Sequence, residues 1–306
     1  MNNNLRRYLK ELPYNIKRIE YYKNSIIFTC SNSEKYVLKE NKNNILDIYN
    51  YLNSRGYNYI PELVYVNNDI YIYKYEDDIK TPSDQKISDL VKLLGLLHNK
   101  TVYYKDVSLD EIKEIYEDLQ NKIIDTYNYY DDLITMIESN IYMSPSYYML
   151  ARNSSSIFNA LSFSKNELEN WYNDAKKSAK KRIVLLHNNP SSNHILKNNK
   201  SILIGWNNAI RNMPIYDFIE LYRKYYDKYD FNFLYKSYLK IFPLDKIERK
   251  LMFIMLFIPY KINLNNSEIL KTKEVSMLCN YLVTTDKLFM ENEIKNTKEQ
   301  NNKVNK

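Results

Sequence analysis

Glycine is nearly missing from this chain: Gly56, Gly95 and Gly205 are the only three in 306 residues, where average usage would give about twenty. No glycine-rich phosphate-binding loop of the P-loop or dinucleotide-fold kind can be written with so few. A phosphate, if bound, needs another device. Cysteine is almost as scarce. Cys30 and Cys279 stand alone and far apart, so neither a disulfide framework nor a cysteine metal site is available, and a reducing compartment is the natural setting. Long apolar runs are absent too. Leu251 to Ile258, closed by Pro259, is too short to span a bilayer and reads as a buried helix. The amino terminus, Met1-Asn2-Asn3-Asn4-Leu5-Arg6-Arg7, has no apolar core behind its charges and is not a signal peptide. The expected location is cytoplasmic, with no membrane span.

What is abundant is tyrosine, 32 residues of it, beside much Asn, Lys and Ile. All have AT-rich codons, which explains the bias without invoking function. The chain is 44% hydrophobic and 26% charged, a globular composition rather than a disordered one. Its net charge of +7 reads first as a solvated lysine-rich surface. No zinc-finger spacing, RGG segment or RNA-binding strand motif accompanies it, so a nucleic-acid partner is not expected.

Periodicity divides the chain. Ser25–Cys30 and Lys35–Lys39 are β-prone runs across the polar turn Ser31-Asn32-Ser33-Glu34, which suggests a hairpin. Ile45, Leu46, Ile48, Tyr49 and Leu52 then recur at helical spacing, with Gly56 as the stop and Pro61 beyond. Leu63–Val66 and Ile70–Tyr75 form a second hairpin pattern. From Gln85 the pattern turns helical, and it resumes over Leu109–Met136 and Asn166–Ala179. Three short apolar runs, Ile183–Leu186, Ile195–Leu196 and Ile202–Ile204, interrupt it before helices return from Ile215 to about Met290. The expected plan is an α+β, two-lobed fold. Residues 1–76 form a small β-rich lobe with one helix, 77–84 a hinge or linker, 85–290 a mainly helical lobe, and 291–306 a flexible tail. A ligand would sit in the interlobe cleft.

This order of parts resembles the aminoglycoside-phosphotransferase family of kinase-like proteins over roughly residues 20–225, and within it the branch of CotS-type spore-coat proteins of bacteria. Tyr36-Val37-Leu38-Lys39 matches the strand that carries the family's lysine. Tyr51-Leu52-Asn53-Ser54-Arg55-Gly56-Tyr57, followed by Ile60-Pro61-Glu62-Leu63, is similar to the spore-coat branch in wording. Leu94-Gly95-Leu96-Leu97-His98 matches the end of the first large-lobe helix. The family's catalytic loop reads His-Gly-Asp, four residues, Asn, then two apolar residues. Here the stretch is Leu186-His187-Asn188-Asn189-Pro190-Ser191-Ser192-Asn193-His194-Ile195-Leu196. The base aspartate falls on Asn189 and the metal-binding asparagine on His194. The later Ile-Asp-Trp motif, whose aspartate holds magnesium, becomes Ile204-Gly205-Trp206-Asn207-Asn208. Pro214-Ile215-Tyr216-Asp217 resembles the helix start that orients the catalytic loop.

One consequence holds whatever the family. From Ala175 to Tyr216 the chain has no aspartate or glutamate, while eight lysines and arginines fall in the same stretch. Phosphoryl transfer from ATP needs a magnesium ion, which prefers carboxylate and water oxygens, and a group that takes or orients the acceptor proton. An amide does neither well. Asn189, His194, Gly205 and Asn207 are therefore degenerate positions and no metal site is expected. Lys39 is the nucleotide-binding candidate, or else one surface lysine among many; its usual helix partner is poor, since Asp47 is the only acid in that helix. His187 and Asp217 read as loop-structuring residues, and His98 as a cap or core contact. Trp206 reads as core.

The leading expectation is a pseudokinase, a binding or scaffold module with no cofactor, meeting an unknown protein or small ligand, in a setting that extends to the spore coat if the branch resemblance carries over. The competing reading is an atypical phosphotransferase for a small hydroxylated molecule, using ATP and Mg²⁺ with displaced acids such as Glu76, Asp77 or Asp217. A third is a binder of anionic polymers.

Overall fold

The structure is a computed structural model, and it describes residues 3–9, 12–22 and 24–294. Its amino-terminal part holds α1 (Asn3–Leu9), β1 (Ile16–Tyr22), β2 (Ser25–Cys30), β3 (Lys35–Glu40), α2 (Ile45–Ser54), β4 (Leu63–Val66) and β5 (Ile70–Lys74). The strands form one five-stranded antiparallel sheet in the order β1-β2-β3-β5-β4. Alternation along β2 sends Ile26, Phe28 and Cys30 to the buried face, where Leu38 and Ile72 join them. Leu5 and Leu9 of α1 cover that cluster. The β2–β3 turn closes through Cys30 N–H donating to the Glu34 carbonyl at 2.8 Å, with Ser33 at φ 66°. Helix α2 buries Ile45, Ile48, Tyr49 and Leu52, and Gly56 beyond it adopts φ 68°, the left-handed stop that glycine takes without strain.

Next come α3 (Ser83–Thr101), β6 (Tyr103–Asp106), α4 (Leu109–Glu138), α5 (Pro145–Arg152), α6 (Ser154–Ala175) and β7 (Lys180–Leu186). They are followed by β8 (Ile195–Lys197), β9 (Ser201–Leu203) and β10 (Ile210–Asn212). The chain closes with α7 (Ile215–Tyr225), α8 (Phe231–Ile241), α9 (Lys246–Phe257) and α10 (Glu268–Phe289). Five elements had no counterpart in the sequence reading: α1, β1, β6, α5 and β10. Helix α6 starts twelve residues before the expected Asn166 because Ile157, Ala160 and Leu161 already build its buried face. Beyond α10 a π turn runs from Met290 to Ile294, with Asn292 buried and its side chain donating to Asn232 at 2.8 Å. The rest of the expected tail, residues 295–306, lies outside the described residues.

Two compact units emerge. The first comprises residues 1–103, 183–217 and 237–242, and the second 104–182, 218–236 and 243–306. In the first, α3 buries Ile87, Leu90, Val91, Leu94 and Leu97. A β-carbon on its Gly95 would stand 3.1 Å from the Ile241 side chain, so glycine here allows close packing. Strands β8 and β9 pair as a short hairpin, and β10 pairs with the end of β7, Ile210 opposite Leu186. In the second, α4, α6 and α9 pack together and α5 lies on α10. The first turn of α9 carries a capping box in which Asp245 and Glu248 each accept the other's backbone N–H. The Glu248 carboxylate also pairs with the Arg182 guanidinium.

Candidate functional site

Asp217, in the first turn of α7 and 1% exposed, organises the loop that follows β7. Its carboxylate accepts the backbone N–H of His187 at 2.8 Å and of Asn188 at 2.7 Å. It also takes a hydrogen bond from the His98 ring, whose Nε2 lies 3.1 Å away. Nδ1 of His98 meets the Tyr238 hydroxyl at 2.6 Å. Asn188 sits at φ 54°, a left-handed conformation that asparagine tolerates better than most residues. That geometry lets two successive amides point at one carboxylate. Both oxygens of Asp217 are thus committed to the loop and to His98.

The loop's two histidines face each other with ring centres 5.5 Å apart. His187 is fully buried and its Nε2 donates to the Ile204 carbonyl at 2.9 Å. His194 ends a one-turn 3-10 helix, Ser192–His194, and its Nδ1 donates to the Asn189 carbonyl at 2.9 Å. Because β8 and β9 pair through Ile195 and Leu203, His194 comes level with Ile204, next to Gly205, and the Ile204 N–H donates to the His194 carbonyl at 2.9 Å. Gly205 has φ 89°, and a β-carbon there would meet three atoms of the His194 ring at 3.1, 3.2 and 3.3 Å. The imidazole fills the space into which a side chain at 205 would project. Trp206 is buried at 1% exposure, with its indole N–H donating to the Leu203 carbonyl at 2.9 Å.

Lys39 lies near the end of β3, its ammonium 5.8 Å from the centre of the Tyr73 ring. It forms no ion pair among the described residues. Burial pushes its ammonium below the usual lysine range, as expected where a cation is desolvated without a compensating charge. Asp47 is spent at the start of α2, accepting from the Asn44 side chain. Beside Lys39, the Glu40 carbonyl accepts the Asn207 side-chain amide at 3.0 Å, and Asn43 donates to the Ala209 carbonyl at 2.8 Å. The motif Gly205–Asn208 is therefore tied to the strand that carries Lys39. The segment after β5 is tied down too: the Asp78 carboxylate accepts the Lys197 N–H at 3.0 Å and pairs with Lys86 at 2.6 Å.

The structure thus brings Gly205, Asn207, His194 and His187 together around one loop, with Asp217 beneath it and Lys39 on the adjoining strand. Asn189 contributes its carbonyl to His194. Sequence reasoning missed the Asp217–His98–Tyr238 chain, because residues 119 and 140 positions apart leave no local signal.

Magnesium-bound ATP, the cofactor that a kinase-like fold implies, is a poor fit to these donors. The first-unit positions that would hold the ion are an imidazole, a glycine and a neutral amide. Asn207 Oδ1 is buried without a hydrogen-bond partner, so it is one available oxygen, but a neutral one. No group of three or more His, Cys, Asp or Glu side chains able to hold a metal occurs among the described residues.

No known protein family matches the chain by its sequence pattern, and no curated protein matches it. Solved structures do. The aminoglycoside phosphotransferase from Alicyclobacillus acidocaldarius subsp. acidocaldarius is similar with a TM-score of 0.68, at 11% identity, over 92% of this chain and 94% of that one. An AMP-bound spectinomycin phosphotransferase, APH(9)-Ia, gives 0.50 at 14% identity over 93% and 92%. At such identities the likeness is one of fold. The chain has an α+β, two-lobed protein-kinase-like fold, with the β-sheet in its amino-terminal part and helices dominating the rest. No helix among the described residues is long and apolar enough to cross a membrane.

Proposed function

We propose that this chain is a pseudokinase: a kinase-like protein that does not perform magnesium-dependent phosphoryl transfer and instead acts as a binding or scaffold module. The observation that carries the reading is the packing of His194 into the side-chain space at Gly205. In the resembled family an aspartate at that position holds magnesium. Here a carboxylate would need the imidazole to leave and the backbone to give up φ 89°. The nearest acid in the loop's own network, Asp217, is occupied by His187, Asn188 and His98, so it is not a displaced base. Asn189 presents an amide, which accepts no proton at neutral pH. Positioning and electrostatics supply nearly all catalysis in phosphoryl transfer, so these losses together remove several orders of magnitude in rate.

Lys39 favours a second reading. A desolvated ammonium with no carboxylate is a ready anion site, and it keeps an ATP-dependent transfer to a small hydroxylated substrate in view. Calorimetry with ATP, with and without Mg²⁺, separates the two. Binding that is absent or indifferent to magnesium, with no phosphate released or transferred, supports the pseudokinase. Magnesium-dependent turnover abolished by Lys39→Ala overturns it. The spore-coat setting rests on the wording of residues 51–63 alone, and localisation of a tagged chain in sporulating cells tests it.

A further inference from the structure

We propose that one end of the second unit is a docking surface for a phospholipid bilayer, into whose interface three apolar side chains insert. The three most exposed large apolar side chains among the described residues are Ile141, Tyr142 and Ile269, at 92%, 90% and 83%. The first two lie in the loop between α4 and α5, and the third in the first turn of α10. They are far apart in the chain, yet one contact joins their segments: the Glu268 carboxylate accepts the Ser146 N–H at 2.8 Å. Apolar residues scattered singly over a surface need no explanation, but the most exposed of them gathered at one end do.

The loop is braced in this shape. Ser139 and Asn140 donate from their side chains to the Met136 carbonyl at 2.7 and 2.9 Å, closing α4. Ser144 caps α5 by accepting the Tyr147 N–H. With these polar groups bonded inside the protein at both ends of the loop, Ile141 and Tyr142 project outward instead of folding onto the core.

The surroundings point to lipid. Residues 139–151 carry no charge, nor do residues 262–267, which lead into α10, although 26% of the chain is charged. Glu138 stands in the last turn of α4, behind the braced turn. The acids of α10 near the tip are taken up within the unit: Glu268 by Ser146 and by Lys271 at 3.1 Å, Glu274 by the Asn263 N–H and the Asn266 side chain, both at 2.9 Å. No bare carboxylate of α10 then has to leave water on insertion. A protein partner would need a separate pocket for each projecting chain, whereas a fluid acyl layer closes round any convex shape. Ser, Asn and Tyr around the tips suit the headgroup zone, where tyrosine is enriched, while the apolar ends reach about 5–10 Å inward.

The test uses the full chain with phosphatidylcholine vesicles, read by co-sedimentation and by the fluorescence of Tyr142→Trp. The native Trp171 and Trp206 are buried, so the added indole supplies the change. Partitioning that survives about 0.5 M salt is expected, with blue-shifted emission from Tyr142→Trp. Ile141→Ser and Ile269→Ser each weaken it roughly tenfold. Ile124→Ser, at an exposed position in the middle of α4, leaves it unchanged. No partitioning, or equal weakening by Ile124→Ser, overturns the proposal. So does partitioning confined to anionic vesicles and abolished by salt, which a net charge of +7 alone would give. Self-association that Ile141→Ser abolishes overturns it too, by making a second copy the occupant. The substituted side chains are exposed, and unchanged thermal unfolding verifies that each variant folds. The outcome is independent of whether the chain turns over ATP.

Discussion

The imidazole of His194 lies against the bare α-carbon of Gly205, its ring 3.1 Å from where a β-carbon would begin. The two positions are coupled: each residue is acceptable because of the other. Gly205→Asp adds both a clash and a left-handed non-glycine residue, a cost of about 1–3 kcal/mol. Adding His194→Asn removes the clash but not the backbone term, so the double variant recovers part of the loss. Denaturant titration of the single and double variants measures this, and a single variant as stable as the parent refutes the packing argument.

Lys39 is expected to trade stability against binding. A lysine whose folded pKa is lowered binds fewer protons folded than unfolded, so its contribution to stability rises with pH between the lowered value and the ordinary 10.5. At neutral pH the buried charge works against folding. Lys39→Met keeps the stem's packing and removes the charge, so it should unfold at equal or higher temperature while losing affinity for ATP or inorganic phosphate. A variant that is less stable and binds equally well would show that Lys39 is an ordinary packing residue.

Asp217→Asn leaves one carbonyl oxygen to serve two backbone amides and a histidine. A loss of about 3 kcal/mol or more is expected, since buried groups that lose an ionic partner bear their full desolvation cost. Paired with His98→Ala, the two losses should fall short of additivity, because both report one network. Strict additivity in the double-mutant cycle would deny the network.

Glu268 gives the acid limb of the stability profile. The Ser146 backbone N–H, 2.8 Å from its carboxylate, is the leading cause that holds this carboxyl down at about 2. For a depressed acid, the stabilisation is present above the ordinary 4.5 and is lost as pH falls toward about 2. Glu268→Gln should lower the melting temperature near neutrality and flatten its fall over that window. An unaltered slope between pH 4.5 and 2 would rule it out.

Glu248 runs the other way. Burial raises its carboxyl above 4.5 despite the Arg182 partner, so its contribution declines as pH climbs from 4.5 through the raised value. Removing the guanidinium in Arg182→Ala leaves a buried acid without its cation, held only by the Asp245 N–H, at a cost of about 3–5 kcal/mol near neutrality, and Glu248→Gln in that background restores part of it. Equilibrium unfolding at neutral pH is the measurement; no recovery would mean the arginine acts through packing.

Much of the sheet was legible in the sequence. The β2–β3 and β4–β5 hairpins stand out as short β-prone apolar runs on either side of polar turns of Ser, Asn and Asp. Strand β1 did not, since after half-buried Ile16 all of its residues are exposed, and a strand with no buried face writes no alternation. The loop residues were legible as a set because His187, Asn189, His194, Gly205 and Asn207 are near one another in the chain. What holds them was not. Asp217 meets His98, and through it Tyr238, only because the fold brings distant helices together.

Strand β1 is also an outer strand of its sheet. It carries Lys17, Arg18 and Glu20, with the last two paired at 3.1 Å. Charges along such a border discourage another chain from adding itself as a sixth strand. The same exposure that left β1 without an apolar pattern puts these charges along the border, where an added strand would have to desolvate them.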